Sequence, residues 1–495
     1  MGLIRFLVPR PDRIPPEAVS KAYMAGMDEV PWASRIVATE DVLIVDRPVG
    51  DSGYLHIPWR VEGFGEMMLS TASLMERDQV YLLEVELARG TLNRIRNQIA
   101  DWESVGMAIP EPIEAQLKGV TETFSRAVTS KVDAMLASEL ATDVIVECMA
   151  IMRSLSASYA QQALALRHSS GSRLVTMLGA NLGTVPFDDH LVDDHLARSY
   201  LGAFNAAVVP MAWQHLETSE NKYVWSLTDS QLDWCKTHAL KVSSGPLVQL
   251  DGTEIPDWLY LWEEDPETLT IFVKQYVRSI VNRYRGRVHV WQAASRINSG
   301  NFLGLSHQDT VRMAIQIVET IRDLDSRTPV IISFDQLWGD SLSQKDYELP
   351  FYLADTLARA NLGLSGIGLE IKLAYHPGGT CHRDALEVSR QLDRWSSLKL
   401  PLLVSLVVPG GTGPDAKAQS QASPLPDEWD PDRQNAWVLE HLPVMLGKQA
   451  VQGIMWNQFS DSHPHVLPHG GLIDANSQPK SALASMSAIR KAHLS

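Results

Sequence analysis

Five charged residues of the sequence have side chains suited to acid–base chemistry or to binding a polar ligand, and each lies at or near the end of an apolar run. They are Arg296, Asp335, Glu370, Lys372 and Asp461. Glu370 and Lys372 are two residues apart, so on a strand they share one face. Adjacent strands lie about 4.8 Å apart, which would let Asp335 and Glu370 approach the roughly 5 to 5.5 Å at which two carboxyl groups cleave a glycosidic bond with retention. Asp335 and Glu370 are therefore the candidate catalytic residues.

The elements that must position these residues are short apolar runs that alternate with amphipathic segments. The runs predict eight strands, at Val175–Gly179, Ala206–Pro210, Lys241–Val248, Val288–Ala294, Val330–Phe334, Gly366–Ile371, Leu402–Val408 and Gly453–Trp456. This alternation favours a closed (β/α)8 barrel, an α/β fold, over an open doubly wound sheet. Polar residues at the carboxyl ends of barrel strands meet at one mouth. No glycine-rich phosphate-binding sequence follows any run, which argues against a nucleotide site.

Two regions precede the predicted barrel, to which we assign residues 173–490. Residues 1–75 alternate β-branched and polar residues between prolines and glycines, so they predict a small β-rich module, with a β-sandwich as one arrangement. Residues 76–168 carry apolar residues mostly three and four positions apart, and they predict a helical region.

The charge balance limits the class of partner. The formal net charge is -16 and the sequence pI is about 5.4. A nucleic-acid backbone or an anionic membrane surface requires concentrated Lys and Arg, so neither is expected as a partner. A neutral ligand such as an oligo- or polysaccharide is compatible with this charge.

Cysteine and histidine usage argues against a disulfide framework, a metal site or a cofactor. The three cysteines, Cys148, Cys235 and Cys381, are far apart in the sequence. The histidines of the carboxyl-terminal half match no standard ligand spacing; they are His376, His382, His463, His465 and His469. The apolar run at the amino terminus is too short for a signal peptide, and no long apolar segment follows, so we expect a cytoplasmic protein.

Several motifs of the predicted barrel resemble glycoside hydrolase family 10, the endo-β-xylanase family, over nearly all of residues 173–490. The likeness rests on Met211-Ala212-Trp213, on Ile255-Pro256-Asp257-Trp258 and on Gly471-Leu472-Ile473-Asp474. The resemblance implies a (β/α)8 barrel, hydrolysis of O-glycosyl bonds by a glutamate pair, and a carbohydrate ligand.

The sequence departs from the family where that chemistry would occur. By resemblance, Arg296 stands at the acid/base position and Leu406 at the nucleophile position. An arginine stays protonated and cannot shuttle a proton. The residues with which the family holds its sugar are also replaced, at Val208, Val209, Ala212 and Gly245.

Ligand binding is predicted at the same mouth. Trp213 and Trp338 fall after predicted strands, where indole rings could stack on sugar faces. Arg296, Lys372 and Asp461 are the predicted polar ligand-binding residues.

Together these features favour a catalytically degenerate family-10-like barrel that binds a carbohydrate or serves as an interaction scaffold. One alternative is an active glycoside hydrolase with relocated carboxylates among Asp335, Glu370 and Asp461. Another is a structural or assembly protein. The sequence does not fix the oligomeric state.

Overall fold

The computed structural model describes residues 2–15, 17–48, 50–130, 132–169, 171–187, 194–341, 349–420, 422–424 and 429–495. Its strands are β1 Gly2–Leu7, β2 Tyr23–Ala25, β3 Pro31–Trp32, β4 Arg35–Ala38, β5 Val42–Arg47, β6 Tyr54–Val61, β7 Gly65–Ser70, β8 Tyr81–Leu82, β9 Met177–Asn181, β10 Ala206–Val209, β11 Glu217–Ser219, β12 Lys222–Tyr223, β13 Lys241–Ser244, β14 Val248–Gln249, β15 Val290–Ser295, β16 Val330–Phe334, β17 Gly366–Lys372, β18 Tyr375–His376, β19 Leu402–Val407, β20 Ser423–Pro424 and β21 Val451–Trp456. Its α-helices are α1 Ala18–Lys21, α2 Leu83–Ser104, α3 Glu111–Thr129, α4 Ala134–Arg167, α5 Asp194–Ala203, α6 Trp213–Leu216, α7 Ser226–Thr237, α8 Pro266–Tyr284, α9 His307–Leu324, α10 Pro350–Arg359, α11 Ala385–Ser396, α12 Pro431–Gly447 and α13 Ser481–His493.

The amino-terminal part contains two four-stranded sheets and three long helices. The sheet orders are β4-β5-β1-β8 and β3-β2-β6-β7. Residues of both sheets and of α2, α3 and α4 share one apolar cluster, which includes Phe6, Trp59 and Met149. The β-rich module predicted from the sequence is therefore present, and it packs on the helical region that follows it.

Helix α4 is the longest element, with 34 residues. Asp133 caps its first turn, because the carboxylate accepts a hydrogen bond from Leu136 N over 3.1 Å. Within the described part of the chain, no helix combines the length and apolar character needed to cross a membrane.

The carboxyl-terminal part is a closed parallel barrel, as the sequence predicts. Its eight strands run around the ring in the order β13-β10-β9-β21-β19-β17-β16-β15, and pairing of β13 with β15 closes it. All residues of β10 and β16 are buried, which fits parallel strands covered on both faces.

The barrel interior is filled by side chains from facing strands. Ala206, Val208, Ile331, Leu403 and Met455 form one buried cluster there. The barrel is thus a packed core, and only its mouth is available for chemistry.

Buried charges join the amino-terminal part to one side of the barrel. Arg94 of α2 pairs with Asp384 over 2.9 Å and with Glu387 over 3.3 Å. The Met68 N–H of β7 also donates to His382 O over 2.9 Å. Asp384 additionally caps α11 by accepting from Glu387 N over 3.0 Å, so the same carboxylate orders a barrel helix and holds the module.

Candidate functional site

Arg296 lies directly after β15 and spans the barrel mouth. Its backbone adopts φ 56°, which is uncommon for a residue with a Cβ, and its N–H donates to Ser333 O over 3.1 Å. The guanidinium Nη1 donates to Asp251 Oδ2 over 2.8 Å, and Nε donates to Glu370 Oε2 over 3.2 Å. One arginine thus connects the loop after β14 with β17, and these contacts hold its strained backbone in place.

Glu370, Lys372 and Asp335 form the second half of this cluster. Lys372 Nζ lies 3.9 Å from Glu370 Oε2 and 3.8 Å from Asp335 Oδ2. Ser299 Oγ donates to Asp335 Oδ1 over 2.5 Å. The structure therefore brings together four of the five charged residues singled out in the sequence. The two candidate carboxyl groups, of Asp335 and Glu370, both lie within 4 Å of the Lys372 ammonium.

The charges of the cluster alter its proton affinities. Burial opposes ionisation of Asp251, but Arg296 outweighs it and holds the pKa of Asp251 at about 2. At Asp335 burial dominates and raises the pKa, although the Lys372 ammonium acts in the opposite direction. The pKa of Arg296 is raised well above its ordinary value, because Asp251 and Glu370 outweigh burial.

Little of the cluster faces solvent. The exposed fraction of the side chain is 14% for Arg296, 11% for Glu370, 12% for Lys372 and 4% for Asp335. Both candidate carboxylates lie against cations. The arrangement suits a structural ion cluster, because ionic contacts hold the carboxylates that hydrolysis would require.

Three residues of this site escaped the sequence analysis, namely Asp251, Thr253 and Glu254. They lie in the loop that follows β14. Thr253 Oγ1 accepts from Arg296 Nη1 over 3.0 Å, and Gln249 Nε2 donates to Glu254 Oε2. The sequence signal that could have indicated them is the pair of acidic residues, Asp251 and Glu254, just before Ile255-Pro256.

Asp461 does not join the cluster. Its Oδ2 accepts from Lys480 Nζ over 2.7 Å, and its Oδ1 accepts from Gly471 N over 2.6 Å. Gln458 Nε2 also donates to Oδ1, over 2.7 Å. These buried contacts fix the loop after β21 and occupy both carboxylate oxygens of Asp461.

The predicted stacking role of the two tryptophans is not supported. Trp213 is 1% exposed, stacks on Tyr276 with ring centroids 4.5 Å apart, and donates from Nε1 to Glu217 Oε2 over 2.7 Å. Trp338 is 6% exposed, and the Arg383 guanidinium lies 4.6 Å from its ring centroid. Both rings belong to the packed interior, so a sugar cannot reach their faces.

Leu406, Gly245 and Val208, which the sequence resemblance matches to site positions of the family, lie in close-packed surroundings. Leu406 in β19 is buried. Gly245 adopts φ 119°, and a Cβ there would lie 2.5 Å from Gln292 O, so a side chain at this point would require the backbone to move. Val208 fills the barrel interior.

Among the residues that the structure describes, the histidines of the carboxyl-terminal half form no metal site. Across the described ranges, no group of three or more His, Cys, Asp or Glu side chains is arranged to hold a metal ion. His465 Nε2 instead lies 3.0 Å from Asp415 Oδ2 and joins two loops above the barrel.

Two adjoining cavities lie at the mouth. The larger, of about 250 Å³, lies at the carboxyl ends of β9, β10 and β21. The smaller, of about 70 Å³, reaches Arg296 and Glu370. Asn181, Glu254 and Asn457 line both.

Comparison of the sequence with known proteins gives a partial match to one family. Residues 178–298 match the model of Glycosyl hydrolase family 10. A segment of 128 residues is 26% identical to Endo-1,4-beta-xylanase C of Paenibacillus barcinonensis. That segment is 25% of this chain and only 12% of the relative's length. The family match therefore reaches from β9 to just past β15.

Comparison of the fold extends over the whole barrel. Native xylanase 10B from Thermotoga maritima superposes with a TM-score of 0.51 at 14% identity. The superposition covers 67% of this chain and 97% of that protein. The chain thus has the (β/α)8 fold of that xylanase, with an additional amino-terminal part.

Proposed function

We propose that this protein is a family-10-like barrel that does not hydrolyse glycosidic bonds and instead binds a neutral ligand at its mouth. The observation that carries the proposal is the double ion pair of Arg296 with Asp251 and Glu370, at 2.8 Å and 3.2 Å. A retaining hydrolase needs one carboxyl group as nucleophile and one to shuttle a proton. Here Asp251 and Glu370 are paired with Arg296, and Asp335 lies 3.8 Å from Lys372 Nζ.

Under this proposal Arg296 occupies the acid/base position and Leu406 the nucleophile position. Carbohydrate is the ligand that the family match suggests. If the mouth binds no ligand, the proposed role is that of an interaction scaffold. The rival function is hydrolysis by relocated carboxylates. Its best support is Asp335, because burial raises the pKa of this carboxyl in the manner expected of a proton donor.

The proposed compartment is the cytoplasm. Cys148, Cys235 and Cys381 are all free and buried, which is compatible with a reducing environment.

The test is release of reducing ends from xylan, mixed-linkage glucan and mannan by the purified full chain. We expect no release above a blank. Release that disappears in both Asp335→Asn and Glu370→Gln would establish the rival hydrolase. Release that survives both changes would overturn the proposal and its rival together.

A restoration variant sharpens this test. Arg296→Glu should remain inactive, because a single carboxyl cannot act as both nucleophile and proton shuttle. Activity in Arg296→Glu alone would show that a second catalytic carboxyl is already in place, and it would overturn the proposal.

A further inference from the structure

The larger mouth cavity has a mostly apolar wall. The aliphatic side chains that line its about 250 Å³ are Leu182, Val185, Leu216, Val224, Leu227 and Val466. This volume is close to the lower end of typical ligand sites, about 300 to 1,000 Å³. The cavity therefore suits a small molecule.

Several polar donors in the wall are already hydrogen-bonded within the protein. Gln231 Nε2 donates to Gly183 O over 3.0 Å and to Val185 O over 2.9 Å. Thr184 Oγ1 donates to Pro464 O over 2.8 Å. These donors are bound to backbone carbonyls and are not available to a ligand, whereas the Gln231 Oε1 acceptor has no partner among the described residues.

Glu254 and Asn457 are polar side chains that lie where the two cavities adjoin. Glu254 has a left-handed backbone, φ 56°, and only its Oε2 accepts from Gln249 Nε2. Burial raises the pKa of Glu254, so it holds a proton to higher pH than an ordinary glutamate. The Asn457 side-chain amide has no hydrogen-bond partner among the described residues, and its backbone N–H donates to Leu406 O over 2.8 Å.

The entrance is also apolar. Val224 is 50% exposed and Val466 is 43% exposed, and both line the larger cavity. A single exposed valine needs no explanation, but two at the opening of one apolar cavity favour a ligand with apolar surface.

We propose that this cavity binds a small, uncharged and mostly hydrocarbon molecule, with a single hydroxyl or amide end between Glu254 and Asn457. A sugar fits less well, because most of its carbons carry a hydroxyl group that would lose water against this wall without a replacement hydrogen bond. The inference rests on the proposed function in one respect, that the mouth is a binding site and not a hydrolytic one.

The test uses N-phenyl-1-naphthylamine, an uncharged fluorescent probe, titrated against the full chain. We expect saturable binding, displaced by 1-hexanol at lower concentration than by xylotriose. Val224→Asp and Val466→Asp should each weaken probe binding at least ten-fold, because a carboxylate at the entrance opposes entry of an apolar group. Val175→Asp is the matched control, since Val175 is 65% exposed just before β9, at the opposite end of the barrel, and should leave binding unchanged.

The polar end is tested with Asn457→Leu, which should weaken displacement by 1-hexanol at least five-fold relative to displacement by hexane. Far-UV circular dichroism of each variant checks that it folds. Absence of probe binding, or equal weakening by Val175→Asp, overturns the inference, and tighter displacement by xylotriose overturns the apolar ligand class. Reducing-end release tests the proposed function separately, so a chain that neither hydrolyses xylan nor binds the probe refutes only this inference.

Discussion

Arg296 Nε donates to Glu370 Oε2 over 3.2 Å, and this contact passes over β16, the strand that lies between their two strands in the ring. Neighbouring strands usually bring their own end residues together, so a bond across an intervening strand requires a long side chain. Because Arg296 also donates to Asp251, its side chain connects the end of β15 with β17 and with the loop after β14.

Removing the arginine should be costly. Arg296→Met leaves Asp251 and Glu370 largely buried with one cation, Lys372, nearby, and the free energy of unfolding should fall by about 3 to 5 kcal/mol. Denaturant unfolding measures this loss. The control is Arg359→Met, since Arg359 is a 78% exposed partner of Asp355 and should cost less than about 1 kcal/mol. Equal losses in the two variants would show that the Arg296 pairs are not structural.

Removing the glutamate should cost less. After Glu370→Gln, Arg296 keeps Asp251 and Lys372 keeps Asp335, so we expect a loss of about 1.5 to 3 kcal/mol, the range for a hydrogen bond to a charged group. The double variant with Arg296→Met should lose less than the two single losses combined. A neutral Glu370→Gln would instead identify a carboxylate that is free for a functional role.

Acid should weaken the cluster through Asp251. The folded-state pKa of Asp251 is about 2, below the ordinary 3.8, so its ion pair stabilises the fold above about pH 4 and loses that contribution as the pH falls towards 2. The contribution is about 2 kcal/mol. The difference in unfolding free energy between the wild type and Asp251→Asn should therefore shrink between pH 5 and pH 2. A constant difference over that range would contradict the assignment.

Trp213 should affect stability and not ligand binding. Trp213→Ala removes a buried ring stacked on Tyr276 and leaves Glu217 without its indole donor, so unfolding should become easier by about 3 to 5 kcal/mol. Trp262→Ala is the control, because Trp262 is 38% exposed and should cost about 1 kcal/mol. Probe or sugar affinity that changes while stability does not would restore a ligand-stacking role for Trp213.

The barrel could be predicted from the sequence because parallel strands covered on both faces give short, continuous apolar runs. The predicted strand Val330–Phe334 coincides with β16. The predicted strand Lys241–Val248 is divided in the structure into β13 and β14, because Gly245 adopts φ 119° and turns the chain between them. The Gly245-Pro246 pair inside this segment was the sequence signal for the turn.

The site was predicted in part, for a related reason. Strand ends locate the charged residues at the mouth, which is why Arg296 and Glu370 could be singled out. Asp251 lies two residues after β14, and its role depends on Arg296, which is 45 positions away in the sequence. The burial of Trp213 depends on Tyr276 in α8, a contact distant in sequence that local patterns do not encode.

The ion pair between Arg94 and Asp384 also sets an order of events during synthesis. The two residues are 290 positions apart, and Arg94 leaves the ribosome first. At a translation rate of about 5 to 20 residues per second, Asp384 is synthesised roughly 15 to 60 s after Arg94. Until then the nascent amino-terminal part exposes the face that will contact the barrel, so its final docking follows translation of β17 and α11 and cannot precede it.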